Sequence, residues 1–288
     1  MSVLILGASG LLGNAMFRVL SEASSTAVYG SIRDARTRDF FTPALAARLV
    51  VVDDLLDRSR LRELFDRAQP GVVINCVAPG RPAPADPLRS IEIYGLLPQL
   101  LSHLCKASGA RLVQISSDGV FSGRRGGYVE TDLPDAADLY GTAKVLGEVH
   151  ESHAITLRTS IIGPELQGEA GLLEWFLRQK DQCRCYSRAI FSGFPTVVLG
   201  RIVRDVVLPR PELSGIYHVA SHPISKFDLL ALVAREYGKQ IELLPDERVV
   251  MDRSLNAARF AAATGYQPAQ WPALVHEMYE YRFGLARQ

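Results

Sequence analysis

The chain has 288 residues, 48% of them hydrophobic, with 32 basic and 31 acidic side chains and a net charge of +1. That length supports a sizeable core, in one large domain or in a nucleotide-binding domain with a smaller partner. Balanced charge with no block of one sign argues against a broad nucleic-acid surface, and no run of about 18 apolar residues is present to span a membrane. The N-terminus lacks the basic and long apolar regions of a signal peptide. The four cysteines, Cys76, Cys105, Cys183 and Cys185, include one close pair and no flanking His or Cys cluster. They read as reduced and structural, with no metal site expected and a cytoplasmic enzyme as the default.

In chain order, short apolar runs at 3–6, 27–32, 49–52, 72–76 and 112–115 predict strands. Helical patterns at 11–22, 61–68 and 88–108 lie between them, the last stopped by Gly109. Short apolar strands alternating with helices imply a parallel sheet covered on both faces, the doubly wound α/β (Rossmann) pattern. Loops are expected at 80–87, 122–134 and 163–171. A helix through Lys144 continues to about His150, and further strands are expected at 155–158 and 215–219. Helices are expected at 172–179, 226–237 and 256–283, the last broken near Pro268; the apolar run 197–208 reads as core. The expected organisation is a dinucleotide-binding domain of residues 1–160 plus about 196–220. A smaller C-terminal α/β substrate lobe takes about 161–195 plus 221–288.

The first strand runs into Gly7-Ala-Ser-Gly10-Leu-Leu-Gly13 and then a helix. Glycine lets the backbone turn tightly and lets a pyrophosphate approach, while the helix N-terminus offers N–H groups to it. Gly7, Ser9, Gly10, Leu11, Leu12 and Gly13 are therefore cofactor-binding candidates. The spacing G-x-x-G-x-x-G carries weight through its strand–turn–helix context. At the end of the second strand stand Ser31 and Arg33, placed to bind a 2′-phosphate and favouring NADP (NADPH) over NAD. Asp34 is within reach of a ribose. Asp54 and Leu55 follow the third strand where an adenine is bounded, and Cys76, Val77 and Ala78 end the fourth beside the cofactor path.

The fifth strand ends in Ser116-Ser117-Asp118, and Tyr140-Gly-Thr-Ala-Lys144 follows downstream. Residues four apart share a helical face, and an ammonium near a phenol favours the phenolate. Such a Tyr exchanges a proton with a carbonyl or alcohol, and a Ser hydroxyl binds the same oxygen. Packing of Tyr140 on an aliphatic lysine stem is the plain structural alternative. Arg201, Arg204, Arg253 or Arg259 is a candidate to hold a diphosphate, and Phe191 or Tyr186 to stack on a base, each with an ordinary structural role as the alternative. His218 and His222 show no metal spacing.

With these motifs the sequence resembles the extended short-chain dehydrogenase/reductase family, and within it the dTDP-4-dehydrorhamnose reductases. The stretches that carry the likeness are G-A-S-G-L-L-G at Gly7, V-I-N-C at Val73, I-S-S-D-G-V-F-S-G at Ile115 and Y-G-T-A-K-V-L-G-E at Tyr140. L-R-T-S at Leu157, G-I-Y-H-V at Gly215 and A-T-G-Y at Ala263 extend it over nearly the whole chain. The resemblance implies Ser117, Tyr140 and Lys144 as a catalytic trio, with Tyr140 and Lys144 also cofactor-binding, Lys144 holding the ribose, and with Asp118 near the substrate carbonyl. It implies NADPH-dependent reduction of a 4-keto-6-deoxy sugar nucleotide, in polysaccharide biosynthesis, by a homodimer. Gly119 after Ser117-Asp118, rather than an acid pair, favours reduction over elimination. The chain departs from the family at Gly119, where Tyr is common, at Ile161, where an aromatic is common, and at Tyr94, where Asn is usual. Two alternatives remain open: an epimerase or dehydratase of the same family, and a non-catalytic NADP-binding regulatory subunit similar to that of methionine adenosyltransferase.

Overall fold

A computed structural model of the chain describes residues 2–22, 26–78, 86–169 and 171–285. Its centre is a seven-stranded sheet in the order β3-β2-β1-β4-β5-β6-β11, every neighbouring pair parallel. The strands are β1 (Ser2–Leu6), β2 (Ala27–Ile32), β3 (Leu49–Val51), β4 (Val72–Asn75), β5 (Arg111–Ile115), β6 (Ala154–Arg158) and, from far along the chain, β11 (Gly215–His218). The doubly wound α/β class is thus the observed one.

Alternation along each strand feeds two cores. Val3, Ile5, Val72, Ile74, Val113 and Ile115 face one side, while Leu4, Leu6, Val73 and Leu112 face the other. Burial on both faces explains why these strands are continuous apolar runs and not alternating ones. Helix α1 (Leu11–Ser21) covers the first face, and α3 (Arg58–Ala68) and α5 (Leu97–Ser108) the second. Asp57 caps α3 through its carboxylate, and Gly109 ends α5 in the left-handed region at φ +70°. Between β2 and β3 lie a 3-10 turn (Ala35–Phe40) and the short α2 (Pro43–Ala46).

The stretch predicted as one helix over 88–108 has three parts. A short α4 (Pro87–Ile91) leads into a wide π turn (Glu92–Leu96) and then α5. Pro98 supplies the reason, because it has no N–H to give the Tyr94 carbonyl four residues back. Of the loop expected at 80–87, Pro87 opens α4, Asp86 is its cap, and the remainder lies outside the described residues. The helix carrying Lys144, α6 (Leu139–Leu146), stops short of the expected His150. Gly147 ends it by pressing against the π turn; a Cβ there would lie 1.9 Å from the Tyr94 carbonyl oxygen.

The second half holds more strand than its sequence suggested. β7 (Ile161–Ile162) pairs with β10 (Phe194–Pro195), β8 (Gln182–Tyr186) with β13 (Glu242–Asp246), and β9 (Ala189–Phe191) with both β12 (Ile224–Ser225) and β14 (Met251–Asp252). Its helices are α7 (Leu172–Arg178), α8 (Thr196–Ile202), α9 (Lys226–Glu236), α10 (Ala258–Thr264) and α11 (Trp271–Leu285). The run 197–208, expected as core, is α8 continued by a π turn (Val203–Val207), packed against α1. The tail is helical only from Ala258, with the expected break falling between α10 and α11. Among the described residues no helix is long and apolar enough to cross a membrane.

Candidate active site

Parallel strands that end on one edge deliver their following loops to that edge, and β1, flanked by β2 and β4, is where the chain winding reverses. Gly7 leaves β1 at φ +79°, its Cα packed on the backbone of Cys76 and Val77. A Cβ at Gly13 would lie 2.0 Å from the Gly7 carbonyl oxygen, so the first turn of α1 closes onto the loop only with glycine there. Gly10 is different. It is exposed, and a Cβ there would meet only the Gly7 oxygen at 3.4 Å. No internal contact requires glycine at this position, whereas a phosphate brought against the backbone would. Gly10 is also the N-cap of α1 and provides no side-chain cap, leaving the first-turn N–H groups of Leu11, Leu12 and Gly13 to an outside acceptor. The residues present therefore fit a dinucleotide pyrophosphate.

Ser31 is buried, and its Oγ accepts from the Gly7 N–H at 3.1 Å while its carbonyl accepts from the Ala8 N–H at 2.8 Å. It braces the glycine loop as an acceptor, and its O–H is the donor available to a 2′-phosphate. Arg33 is exposed at the end of β2. Asp34 is engaged: it caps the 3-10 turn and pairs with Arg36, which pulls its carboxyl below the ordinary range. Sequence reasoning passed over Arg36, a second cation beside Arg33. Asp54 clasps Arg89 at 3.0 Å and the Leu56 N–H at 3.1 Å, and Leu55 belongs to the second core. Cys76 and Val77 are half-buried and Ala78 exposed. Burial pushes the Cys76 thiol up to about 12, against the pull of Lys144.

Ser117 leaves β5 with extended backbone. Its Oγ accepts the Gly119 N–H at 2.9 Å and donates to Asp118 Oδ1 at 3.2 Å. Asp118 is pushed up to about 6 by burial, opposed by Ser117, Arg253, Ser160 and Lys226. Tyr140 stands in the first turn of α6, which Asp138 caps, and remains 39% exposed. Its ring lies over Gly119: a Cβ there would come within 2.7 Å of Tyr140 Cε1 and 3.1 Å of Ser117 Oγ. Glycine at 119 thus leaves room for the Tyr140 ring, with no Cβ to meet the ring or the Ser117 hydroxyl. Lys144, one turn on, is buried and donates to the Ile115 carbonyl at 3.1 Å. Burial lowers it to about 8, with Cys76 and Glu148 working the other way. Ser117, Tyr140 and Lys144 are accordingly brought together beside the glycine loop's edge of the sheet.

Behind the serine is a buried network that the sequence did not disclose. Arg158, at the end of β6, places Nε and Nη2 each 2.7 Å from the two Glu148 carboxylate oxygens. Ser116 Oγ adds a bond to Glu148 Oε1 at 2.8 Å. His218 Nδ1 lies 3.0 Å from the Tyr128 carbonyl, which can only accept, so Nδ1 carries the proton and Nε2 receives Arg158 Nη1 at 3.3 Å. Burial and then Arg158 lower His218 to about 4, keeping it neutral.

The candidate diphosphate arginines separate. Arg201 pairs with Glu277, Arg204 with Glu22 and Asp205, and Arg259 lies over the Tyr217 ring. These three are committed elsewhere in the fold. Arg253 faces the site, 3.6 Å from Asp138 and close enough to Asp118 to act on its carboxyl, as is Lys226, which the sequence reading did not single out. Phe191 is core, against Trp271, whereas Tyr186 is exposed on β8. His222 is exposed and bonded to Gln270.

Comparison with known proteins agrees with this architecture. Methionine adenosyltransferase 2 subunit beta of Rattus norvegicus is 34% identical over 82% of this chain and 72% of its own length. The dTDP-4-keto-6-deoxy-D-glucose reductase of Streptomyces niveus is 25% identical over 85% of this chain and 83% of its own. The crystal structure of dTDP-4-dehydrorhamnose reductase from Bacillus anthracis in complex with NADP shares the fold at a TM-score of 0.78 and 20% identity, covering 97% of this chain and 99% of that one. A family model described as the RmlD substrate binding domain matches residues 1–280, and the chain belongs to that family.

Proposed function

We propose that the protein is an NADPH-dependent reductase of a 4-keto-6-deoxy sugar nucleotide. The observation that carries this reading is the convergence of Ser117, Tyr140 and Lys144 at the sheet edge that also holds the glycine loop. A nicotinamide dinucleotide, when bound, supplies the hydride. Gly7, Ser9, Gly10 and the first turn of α1 hold its pyrophosphate, and Arg33 its 2′-phosphate. Ser117 binds the substrate carbonyl oxygen, its own Oγ steadied by the Gly119 N–H. Tyr140 delivers a proton to that oxygen, and Lys144, as a cation, makes the phenol a readier donor by stabilising the phenolate left behind. Asp118 accepts the Ser117 O–H in the free site, a bond the substrate oxygen takes over on binding, and with Arg253 and Lys226 nearby it frames the sugar side of the site.

The same reading divides the chain into a dinucleotide domain of 1–160 plus about 196–220 and a substrate lobe of about 161–195 plus 221–288. It is supported by β11 completing the large sheet and, among the described residues, by β8, β9, β12, β13 and β14 pairing only with one another. Cys183 and Cys185, free thiols whose sulfurs share a hydrogen bond at 3.6 Å, fit a reducing, cytoplasmic compartment.

The test is NADPH consumption with a panel of keto-sugar nucleotides. Tyr140→Phe is expected to lose turnover by roughly 10²- to 10⁴-fold while binding NADPH as before. Near-normal turnover in that variant defeats the mechanism, and product formation without net cofactor consumption favours an epimerase or dehydratase. A second reading, a cofactor-binding subunit of a partner enzyme, is favoured by the likeness to methionine adenosyltransferase 2 subunit beta. It predicts tight NADPH binding without turnover and co-purification of a partner.

A further inference from the structure

We propose that Tyr94 is a positioning residue for the Tyr140–Lys144 pair, one aromatic ring steering both side chains. The proposal deepens the reductase reading and rests on it. Lys144 Nζ lies 4.8 Å from the centre of the Tyr94 ring. That is within the range at which a ring face attracts a cation. The Tyr94 and Tyr140 rings meet edge to face, centres 5.0 Å apart at 87°. Such a contact fixes the tilt of each ring, because the positive edge of one seeks the negative face of the other. Gly119 packs on Tyr140 as well, a Cβ there coming within 2.7 Å of Tyr140 Cε1, so the phenol ring has Tyr94 and the Gly119 backbone as neighbours.

The backbone is shaped to present this ring. Pro98 frees the ladder at Tyr94, the chain widens into the π turn Glu92–Leu96, and Gly147 allows that turn to press on the end of α6. Tyr94 and Lys144 therefore sit on two elements locked together at their backbones. The ammonium has the Ile115 carbonyl on one side and the ring on another. The titratable groups around it are Cys76 at the end of β4, Glu148 beyond α6, and the two tyrosines. Glu148 is saturated by Arg158 and Ser116, which leaves the ring as the adjustable partner of the charge.

The experiment compares Tyr94→Phe with Tyr94→Leu in the full chain, with Tyr94→Met in place of leucine should that variant not fold. The chain has five lysines, so selective ¹³Cε-lysine labelling gives few signals, and Lys144→Arg assigns one of them. In Tyr94→Phe the Lys144 titration and the turnover are expected to stay as in the wild type. In Tyr94→Leu the ammonium keeps its burial but loses the ring. Its titration is expected to move down by about half to one pH unit. The alkaline limb of the rate profile is expected to move with it, and kcat to fall roughly tenfold with the NADPH affinity unchanged. An unmoved Lys144 titration in Tyr94→Leu, or equal effects of phenylalanine and leucine, overturns the proposal. If the wild type reduces no keto sugar, the reductase reading fails on that result, whereas the lysine titration still decides the role of Tyr94.

Discussion

Replacing Glu148 by glutamine takes one charge out of a site where its partner has nowhere to go. Arg158 is 2% exposed and Glu148 5%, and the guanidinium places two nitrogens 2.7 Å from the carboxylate. Removing one member of a buried pair costs about 3–5 kcal/mol, because the survivor stays desolvated and uncompensated. His218 gives no relief, since its neutral ring already accepts one Arg158 N–H and carries no negative charge. A glutamine side chain would keep the shape and one acceptor, so the lower end, about 3 kcal/mol, is the expected loss. For a chain of this size that lowers the melting temperature by roughly 5 °C. Differential scanning calorimetry of Glu148→Gln measures the loss, and Glu148→Leu, Arg158→Met and the double variant Glu148→Leu/Arg158→Met complete the cycle. The double variant should recover part of the loss, because two apolar side chains leave no charge stranded, although Ser116 Oγ and His218 Nε2 lose their partners. A Glu148→Gln variant melting within a degree of wild type, or a double variant as unstable as the two losses added, would refute the reasoning.

Gly13→Ala and Gly10→Ala should behave oppositely: the first puts a Cβ 2.0 Å from the Gly7 oxygen and loses stability, the second only 3.4 Å from it and keeps its melting temperature. Gly10→Ala should nonetheless weaken NADPH binding roughly tenfold by fluorescence titration, since the methyl occupies the phosphate's approach. Lys144→Met should abolish turnover and raise stability at pH 7 by as much as about 3 kcal/mol, the equivalent of lowering the lysine from 10.5 to about 8. Below about pH 8 both folded and unfolded wild type hold that proton and the folded state bears the buried charge; between about 8 and 10.5 only the unfolded chain keeps it. Wild-type stability therefore rises with pH across that window and the gain of the variant should shrink, which urea melts at about pH 7 and 10 would check. Arg33→Ala should raise the KM for NADPH roughly tenfold and leave that for NADH within about twofold, and an equal change in both would remove Arg33 from the 2′-phosphate site.

What the sequence displayed were features whose cause is local. The apolar strands are legible because each is buried on both faces, and Gly7 and Gly13 because the backbone admits nothing else. Ser117, Tyr140 and Lys144 were legible from their spacing. What it concealed depends on partners far along the chain. Glu148, Arg158 and His218 meet from three elements, and nothing local marks Arg201 for Glu277 or Arg204 for Glu22. Strand β8 is legible in principle: Gln182-Cys-Arg-Cys-Tyr186 alternates exposed and buried residues, a period of two that marks a half-buried strand. Tyr94 announced itself as an unusual residue on a helix, but the Pro98-driven turn that swings it to Lys144 shows only in three dimensions.

The lysine also bears on the choice between enzyme and binding subunit. Lys144 is buried against the Ile115 carbonyl and the Tyr94 ring, and its charge survives there at a cost that a methionine would not incur. The neighbouring Tyr140, by contrast, is open to solvent, and its ring is gripped by Tyr94 and Gly119. A costly buried cation one helical turn from an exposed phenol is the arrangement proton transfer uses, since a nearby cation favours the phenolate. Sites where stability is surrendered locally are the ones where chemistry is expected. That is the physical ground for preferring turnover to mere binding, and the stabilising, inactivating Lys144→Met variant is its sharpest expression.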